Sequence, residues 1–416
     1  MAKHDPASAT RGATTVSRRR VFYIPGYDPF HPRRYCELYR KEAAAQAAIS
    51  GYSLQLSPKP GGGAYGWNVE AEIGGARVGA QVEVLVWSDI VKNSMETGML
   101  DTYRQLFRTA WIYIGSGALW RLMRLRKGPV IAALYPVVFL LVQLVLALGL
   151  FWAGWVLGGL ALPGLLGAAL GAGLGAVAAA AALHWFRRID NKVFAYYLMH
   201  DYAYSAQLNG ANPPELEARM AEFGEVIAAT LTEEVEEVLV VGHSSGVHLA
   251  ISVLSDLLRA GRVPAQGPAL SFLSLGQVVP MVSFLPAAQR LRADLAYLSA
   301  SKALTWVDVT APGDGCAFAL CDPVAVSGVA PAGKRWPLVF SASFTQTLSP
   351  GRWKQLRWRF FRLHFQYLCA FDRPGDYDYF QITAGPVTLG ARYKGRAASR
   401  SRIETPVNKF TSVSAP

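Results

Sequence analysis

Charge is what this chain of 416 residues has least of. Asp, Glu, Lys and Arg together make up 17%, against roughly 25% in soluble domains. With 52% hydrophobic residues, that scarcity excludes a disordered chain and fits a purely soluble enzyme poorly. Acidic residues are the scarcer sign: 41 Lys and Arg against 29 Asp and Glu leave a net charge of +12. A basic surface suits nucleic acid or anionic lipid. Cysteine is rare as well. Cys36, Cys316, Cys321 and Cys369 are too few for a disulfide scaffold. They form no C-x-x-C pair and have no histidine cluster beside them, which argues against a structural zinc site. The first twenty residues contain no apolar run of the length a secretory signal needs. Residues 1–19 are therefore expected to be a flexible basic tail, with the main mass of the chain in the cytoplasm. No internal repeat is present.

The longest absence lies between Gly128 and Phe186, where no Asp, Glu, Lys or Arg occurs. One bilayer crossing takes about 20 apolar residues, so this stretch is long enough for two. Gly158-Gly159 and Pro163-Gly164 offer turns, giving helices expected near 130–157 and 162–186. Arg121, Arg124, Arg126 and Lys127 precede the first, and Arg187, Arg188 and Lys192 follow the second. Basic flanks stay inside, so both ends of the hairpin and both termini are expected in the cytoplasm. Gly154 and Gly158, and Gly167, Gly171 and Gly175, recur every four residues. Small residues at that spacing let helix backbones approach closely, either within the hairpin or in a homodimer. Gln143 and His184 are the notable polar side chains here, too few buried ionisable groups for a transporter.

Around the hairpin, strand-like and helix-like stretches alternate. Strands are expected at 21–25, 82–87, 235–241, 269–275, 303–309 and 338–344, and helices near 33–48, 246–260 and 287–299. That alternation predicts an α/β fold with a mostly parallel sheet covered by helices on both faces. The hairpin interrupts it. The domain is thus expected as 20–107 and 193–395, with a basic interfacial segment and hairpin at 108–192 and a flexible C-terminal tail at 396–416.

The third strand runs into Gly242-His243-Ser244-Ser245-Gly246 and then into an apolar-periodic helix. This is G-x-S-x-G in strand–turn–helix context, where the sharp turn projects a central serine and the glycines relieve strand–helix crowding. Here the chain resembles the α/β-hydrolase superfamily, in particular its lipase- and esterase-like serine hydrolases, across roughly residues 20–90 and 190–390.

The resemblance implies a Ser, acid, His order along the chain. Ser244 would be the nucleophile, and His364, which follows the last expected strand, the base. Asp314, between two glycines just past the strand at 303–309, is the preferred acid; Asp308 and Asp322 are the alternatives. The backbone amides of Tyr27 and Ser245 would form the oxyanion hole, with Gly26 permitting close approach and Asp28 anchoring its loop. Acyl transfer through these groups requires no cofactor or metal. Arg108–Lys127 and Arg352–Arg362 mix basic residues with Trp111, Trp120, Trp353, Trp358, Phe360 and Phe361. Such stretches suit an anionic membrane surface, or by the same composition single-stranded nucleic acid. Beside a hairpin, lipid is the partner expected and nucleic acid is not. The expected activity is hydrolysis of a lipid-like or small ester or thioester at the membrane. The alternative is a catalytically inactive hydrolase-like scaffold or binding module.

Overall fold

The computed structural model describes residues 14–96 and 98–413. Eight strands form one sheet: β1 Arg18–Ile24, β2 Ser53–Pro58, β3 Gly66–Ile73, β4 Ala76–Val84, β5 Glu237–His243, β6 Ala269–Leu275, β7 Thr305–Thr310 and β8 Leu338–Ser341. Their order across it is β2-β3-β4-β1-β5-β6-β7-β8. β4, β1 and β5 to β8 run parallel, while β2 and β3 pair antiparallel at one edge. The fold is α/β with a mostly parallel sheet, as the alternation predicts.

β5 is buried along its whole length, the pattern of a strand covered on both faces. Alternate residues sort to the two sides. Val21, Tyr23, Leu239, Val241 and Val307 enter one core; Phe22, Ile24, Val238, Val240 and Trp306 enter the other. The helix Arg33–Ser50 closes the first core, and the helices Pro214–Thr230, Gly246–Arg259 and Gln289–Ala300 close the second.

The structure corrects the N-terminal boundary. Residues 1–13 lie outside the described residues, but Arg18 and Arg19 belong to β1 and not to a tail. Arg19 is fully buried, with Nε 2.6 Å from the Glu237 carboxylate and its other nitrogens on the carbonyls of Gly385 and Val387. Glu237 also accepts from Ser271 Oγ and Leu389 N–H. The pair thus has the additional hydrogen bonds that offset its desolvation. At the other end, the segment expected as a free tail from 396 is docked through residue 413. Ile403 bridges to Cys321, and the Asn408 amide donates to the Ser283 carbonyl at 3.0 Å.

The apolar hairpin is longer than expected. Its helices run Lys127–Ala161 and Gly164–Arg188, both long and apolar enough to cross a membrane. The turn falls at Leu162-Pro163; Gly158-Gly159 stay helical. The first helix has 35 residues, about 52 Å at 1.5 Å per residue, against a hydrocarbon core of about 30 Å. Its domain-proximal part is docked on the domain. Leu140 and Gln143 are buried against the helices Met99–Gly115 and Ala195–Ala206, where Tyr196 donates to Gln143 Oε1 at 2.7 Å and Tyr103 to the Leu140 carbonyl at 3.2 Å. The glycine seam closes within the chain. A Cβ on Gly158 would sit 2.4 Å from Gly171 Cα, and one on Gly154 2.6 Å from Gly175 Cα. A homodimer would therefore have to use another face.

Candidate active site

The turns after the parallel strands β1, β5 and β7 bring Tyr27, Ser244 and Asp314 to the carboxyl ends of the strands, and the short helix Phe360–His364 brings the histidine. β5 ends at His243 and turns through Ser244, whose φ is +56°. A left-handed conformation at a residue with a Cβ is strained by about 1–2 kcal/mol and marks a site the surroundings hold in place. Here the surroundings are tight. A Cβ on Gly242 would meet Val247 Cα at 2.9 Å, and one on Gly246 would meet the Ile24 carbonyl at 2.1 Å. Both elbow glycines are needed for backbone approach. Ser244 N–H is fixed to the Leu275 carbonyl at the end of β6 by a 3.0 Å bond. A Cβ on Gly26, in the loop after β1, would lie 2.9 Å from the Ser244 Cβ.

β7 leads into the loop that carries Asp314. Its Oδ2 lies 2.8 Å from His364 Nδ1, and both residues are buried. Asp314 also accepts from Tyr367 Oη at 3.0 Å and, through Oδ1, from Cys316 N–H at 2.9 Å. Burial works to raise the Asp314 carboxyl. The His364 ring, as a charge and as a donor, together with Cys316 and Tyr367, outweighs it and holds the group below its ordinary value. An ionised carboxylate on Nδ1 sets the tautomer that leaves Nε2 as a base. His364 Nε2 is buried without a partner, and Ser244 Oγ makes no hydrogen bond to it.

The alternative acids have other roles. Asp308 accepts from Ser274 Oγ inside the sheet, and burial pushes it up to about 8. Asp322 caps the short helix Pro323–Val326 through the N–H groups of Val324 and Ala325, and pairs with Lys334.

On the oxyanion side, Ser245 N–H has no acceptor among the described residues, whereas Tyr27 N–H donates to Ser245 Oγ at 3.3 Å. Asp28 anchors the loop as expected, accepting from Phe30 N–H at 2.9 Å and from the Tyr35 hydroxyl.

Several neighbours have contacts that the sequence pattern does not assign. His243 packs against His364 with centroids 4.8 Å apart and the rings tilted by 34°, and its Nε2 donates to the His364 carbonyl at 3.0 Å. Burial, then the neighbouring His364 charge, lowers the His243 ring to about 3, so it is a neutral donor. Tyr367 links Asp314 to the Ala311 N–H, which donates to its hydroxyl at 2.9 Å. Only the chemistry of a buried acid, which needs donors, could have suggested such partners.

The basic aromatic stretch 352–362 forms a wall of the site. Trp353 covers Gly313, Phe360 covers Gly315, and Phe361 packs against Phe194 with the rings tilted, centroids 4.7 Å apart. The first turn of the apolar hairpin touches the acid loop, since a Cβ on Gly128 would lie 3.3 Å from Gly315 Cα. Trp111, Trp120 and Trp358 are exposed.

Asp314, Cys316 and His364 offer ligand atoms within 4.8 Å of one another. The direct Asp314–His364 hydrogen bond satisfies that pair, and burial holds the Cys316 thiol well above its ordinary value and protonated. The trio is a poor metal cradle. Comparison with protein-family models, with curated proteins and with solved structures finds no match.

Proposed function

We propose that the chain is a membrane-anchored serine hydrolase that cleaves an ester or thioester of lipid character. The observation that carries this reading is the buried Asp314–His364 pair at 2.8 Å beside a serine held at φ +56° on a strand-to-helix elbow. The resemblance to α/β-hydrolases agrees with it.

In the reaction, His364 Nε2 takes the Ser244 proton as Oγ attacks the substrate carbonyl. Asp314 stabilises the imidazolium without accepting its proton. The free Ser245 N–H donates to the developing oxyanion, and Tyr27 N–H joins it by giving up its long bond to Ser245 Oγ. His364 then protonates the leaving group, and a water activated by the same ring releases the acyl group.

The two apolar helices anchor the domain as a membrane hairpin, and their basic flanks favour both ends on the cytoplasmic side. Trp111, Trp120 and Trp358, interleaved with arginines, suit the headgroup layer of an anionic leaflet. Contact between the hairpin base and the acid loop supports a mouth of the site at that layer, where a lipid ester is at hand.

Fluorophosphonate labelling in native membranes tests the reading, with wild type beside Ser244→Ala. Label lost in the variant supports an activated serine. The absent Ser244–His364 hydrogen bond favours a second reading, an inactive hydrolase-like scaffold. A folded, inserted wild type that takes no label would establish that one.

A further inference from the structure

Behind Ser245 lies space that acyl transfer at Ser244 leaves unexplained. A cavity of about 20 Å³ is bounded by Ser245, His248, Asp201 and Trp87, enough for a single water. Tyr204 lines it and also lines a surface groove of about 570 Å³ between the helices Ser88–Met95 and Pro214–Thr230. This ring is a wall of both spaces.

The groove has the wrong sign for its protein. Asp89, Glu215 and Glu222 face it against Arg219 alone, which makes it net −2 in a chain of net +12. Arg219 is already held by Asp89 at 2.8 Å and Glu222 at 3.0 Å. Glu215 makes no ion pair among the described residues. A second, independent observation points to a ligand. Tyr204 is 8% exposed, yet its hydroxyl has no partner; His248 Nδ1, on the inner cavity, and Gln207 Nε2, on the groove, are also unpartnered. Buried polar atoms are seldom left this way, and three along one path suggest something that completes them. Asp201 accepts no hydrogen bond from the described residues. Burial lifts its carboxyl to about 7, and a nearby cation would restore its charge.

We infer that the groove beside Tyr204 binds the non-reacting end of the substrate, and that this end carries an ammonium group. Glu215 supplies the charge and the Tyr204 ring supplies a face for the cation. A phosphate or carboxylate at the same place would meet net negative charge. The word substrate rests on the hydrolase reading; cation binding does not.

The test uses the full chain in detergent micelles. Intrinsic fluorescence is titrated with choline and with 3,3-dimethylbutanol, its uncharged isostere, and each is scored for protection of Ser244 from the fluorophosphonate. Choline is expected to bind at least about fivefold more tightly and to slow labelling. Glu215→Gln, at an exposed position, is expected to bring the ratio to within about twofold of one. Equal binding of the two probes, no choline binding, a ratio unmoved by Glu215→Gln, or bound choline that leaves labelling unchanged would each overturn the inference. Selective choline binding to a wild type that never takes the label would sink the hydrolase reading and keep the cation site. Labelling without choline selectivity would do the reverse.

Discussion

Asp308 and Asp314 sit six positions apart, both buried, and their chemistry diverges because their donors differ. Asp308 has Ser274 Oγ, and its Oδ2 is unpartnered, so burial wins and the acid stays neutral near pH 7. Asp314 has His364, Tyr367 and Cys316 N–H, and ionises. Replacing each by asparagine separates the two roles. Asp314→Asn removes the carboxylate that fixes the His364 tautomer, and turnover of a short aryl ester should fall by on the order of 10³–10⁴. Asp308→Asn keeps a neutral hydrogen-bonding group and should leave turnover within about threefold of wild type. The reverse ranking would move the acid to Asp308. Tyr367→Phe acts differently, because it strands the buried Ala311 N–H and takes one donor from Asp314. It should lower stability by about 1–3 kcal/mol, read as a denaturant midpoint in detergent, while activity falls far less than in Asp314→Asn. A midpoint equal to wild type would mean that water replaces the hydroxyl.

Among the elements, the hairpin is held by missing side chains. Gly154, Gly158, Gly171 and Gly175 meet backbone to backbone, while Gly173 faces open space. Gly171→Val would drive a side chain into the Gly154 carbonyl and Gly158 Cα and should cost about 1–3 kcal/mol. Gly173→Val, of the same composition, should cost far less. Equal melting temperatures for the two variants would show that the seam does not hold the helices together. The four-residue glycine spacing made this seam legible in the sequence, as the strand–turn–helix context did for the elbow and the apolar runs did for β5 to β8. The strands β2 and β3 contain no apolar run, because their apolar residues alternate with polar ones: Trp67, Val69, Ala71 and Ile73 are the buried face of β3, and on the edge strand β2 Leu54 and Leu56 are only partly buried. Their turn did leave a trace. Gly74-Gly75, with φ of +60° and +80°, joins Ile73 to Ala76 as a two-residue hairpin connection. The strand expected at 82–87 was read too late for a related reason. Leu85 and Trp87 are apolar and buried, but they leave the sheet to pack under the helix Ser88–Met95. The G-x-S-x-G motif singles out Ser244, the chain order implied by the resemblance singles out Asp314 and His364, and the fold joins the latter two by a hydrogen bond. Tyr367 and Asp201 come near these residues only through folding, from positions with no pattern of their own.

At the scale of the whole molecule, the buried carboxyls that the fold keeps neutral set how stability responds to pH. Asp201 and Asp308 have folded values raised to about 7 and about 8, from an unfolded value near 4. A raised carboxyl binds more protons in the folded state. Its contribution is fully present below the unfolded value and is lost as pH rises toward the folded one. The buried rings His200, His243 and His248 are all lowered, first by burial, and act in the opposite sense. Their contribution is lost as pH falls below about 6.5, so above that pH they are silent. Between pH 6.5 and about 7.5 the carboxyls therefore dominate, each at up to ~1.4 kcal/mol per pH unit before its folded value is reached; above that the cysteine thiols, raised first by burial, add in the same sense. The melting temperature of the wild type in detergent should fall steadily over that window. Asp308→Asn removes the carboxyl whose loss extends furthest and should flatten the fall by about half or more near pH 7.5. The same variant retains turnover in the residue-scale experiment, so its pH profile reports on the fold and not on the reaction. Parallel profiles for wild type and variant would mean that Asp308 ionises in the folded protein, and that water reaches the middle of the sheet.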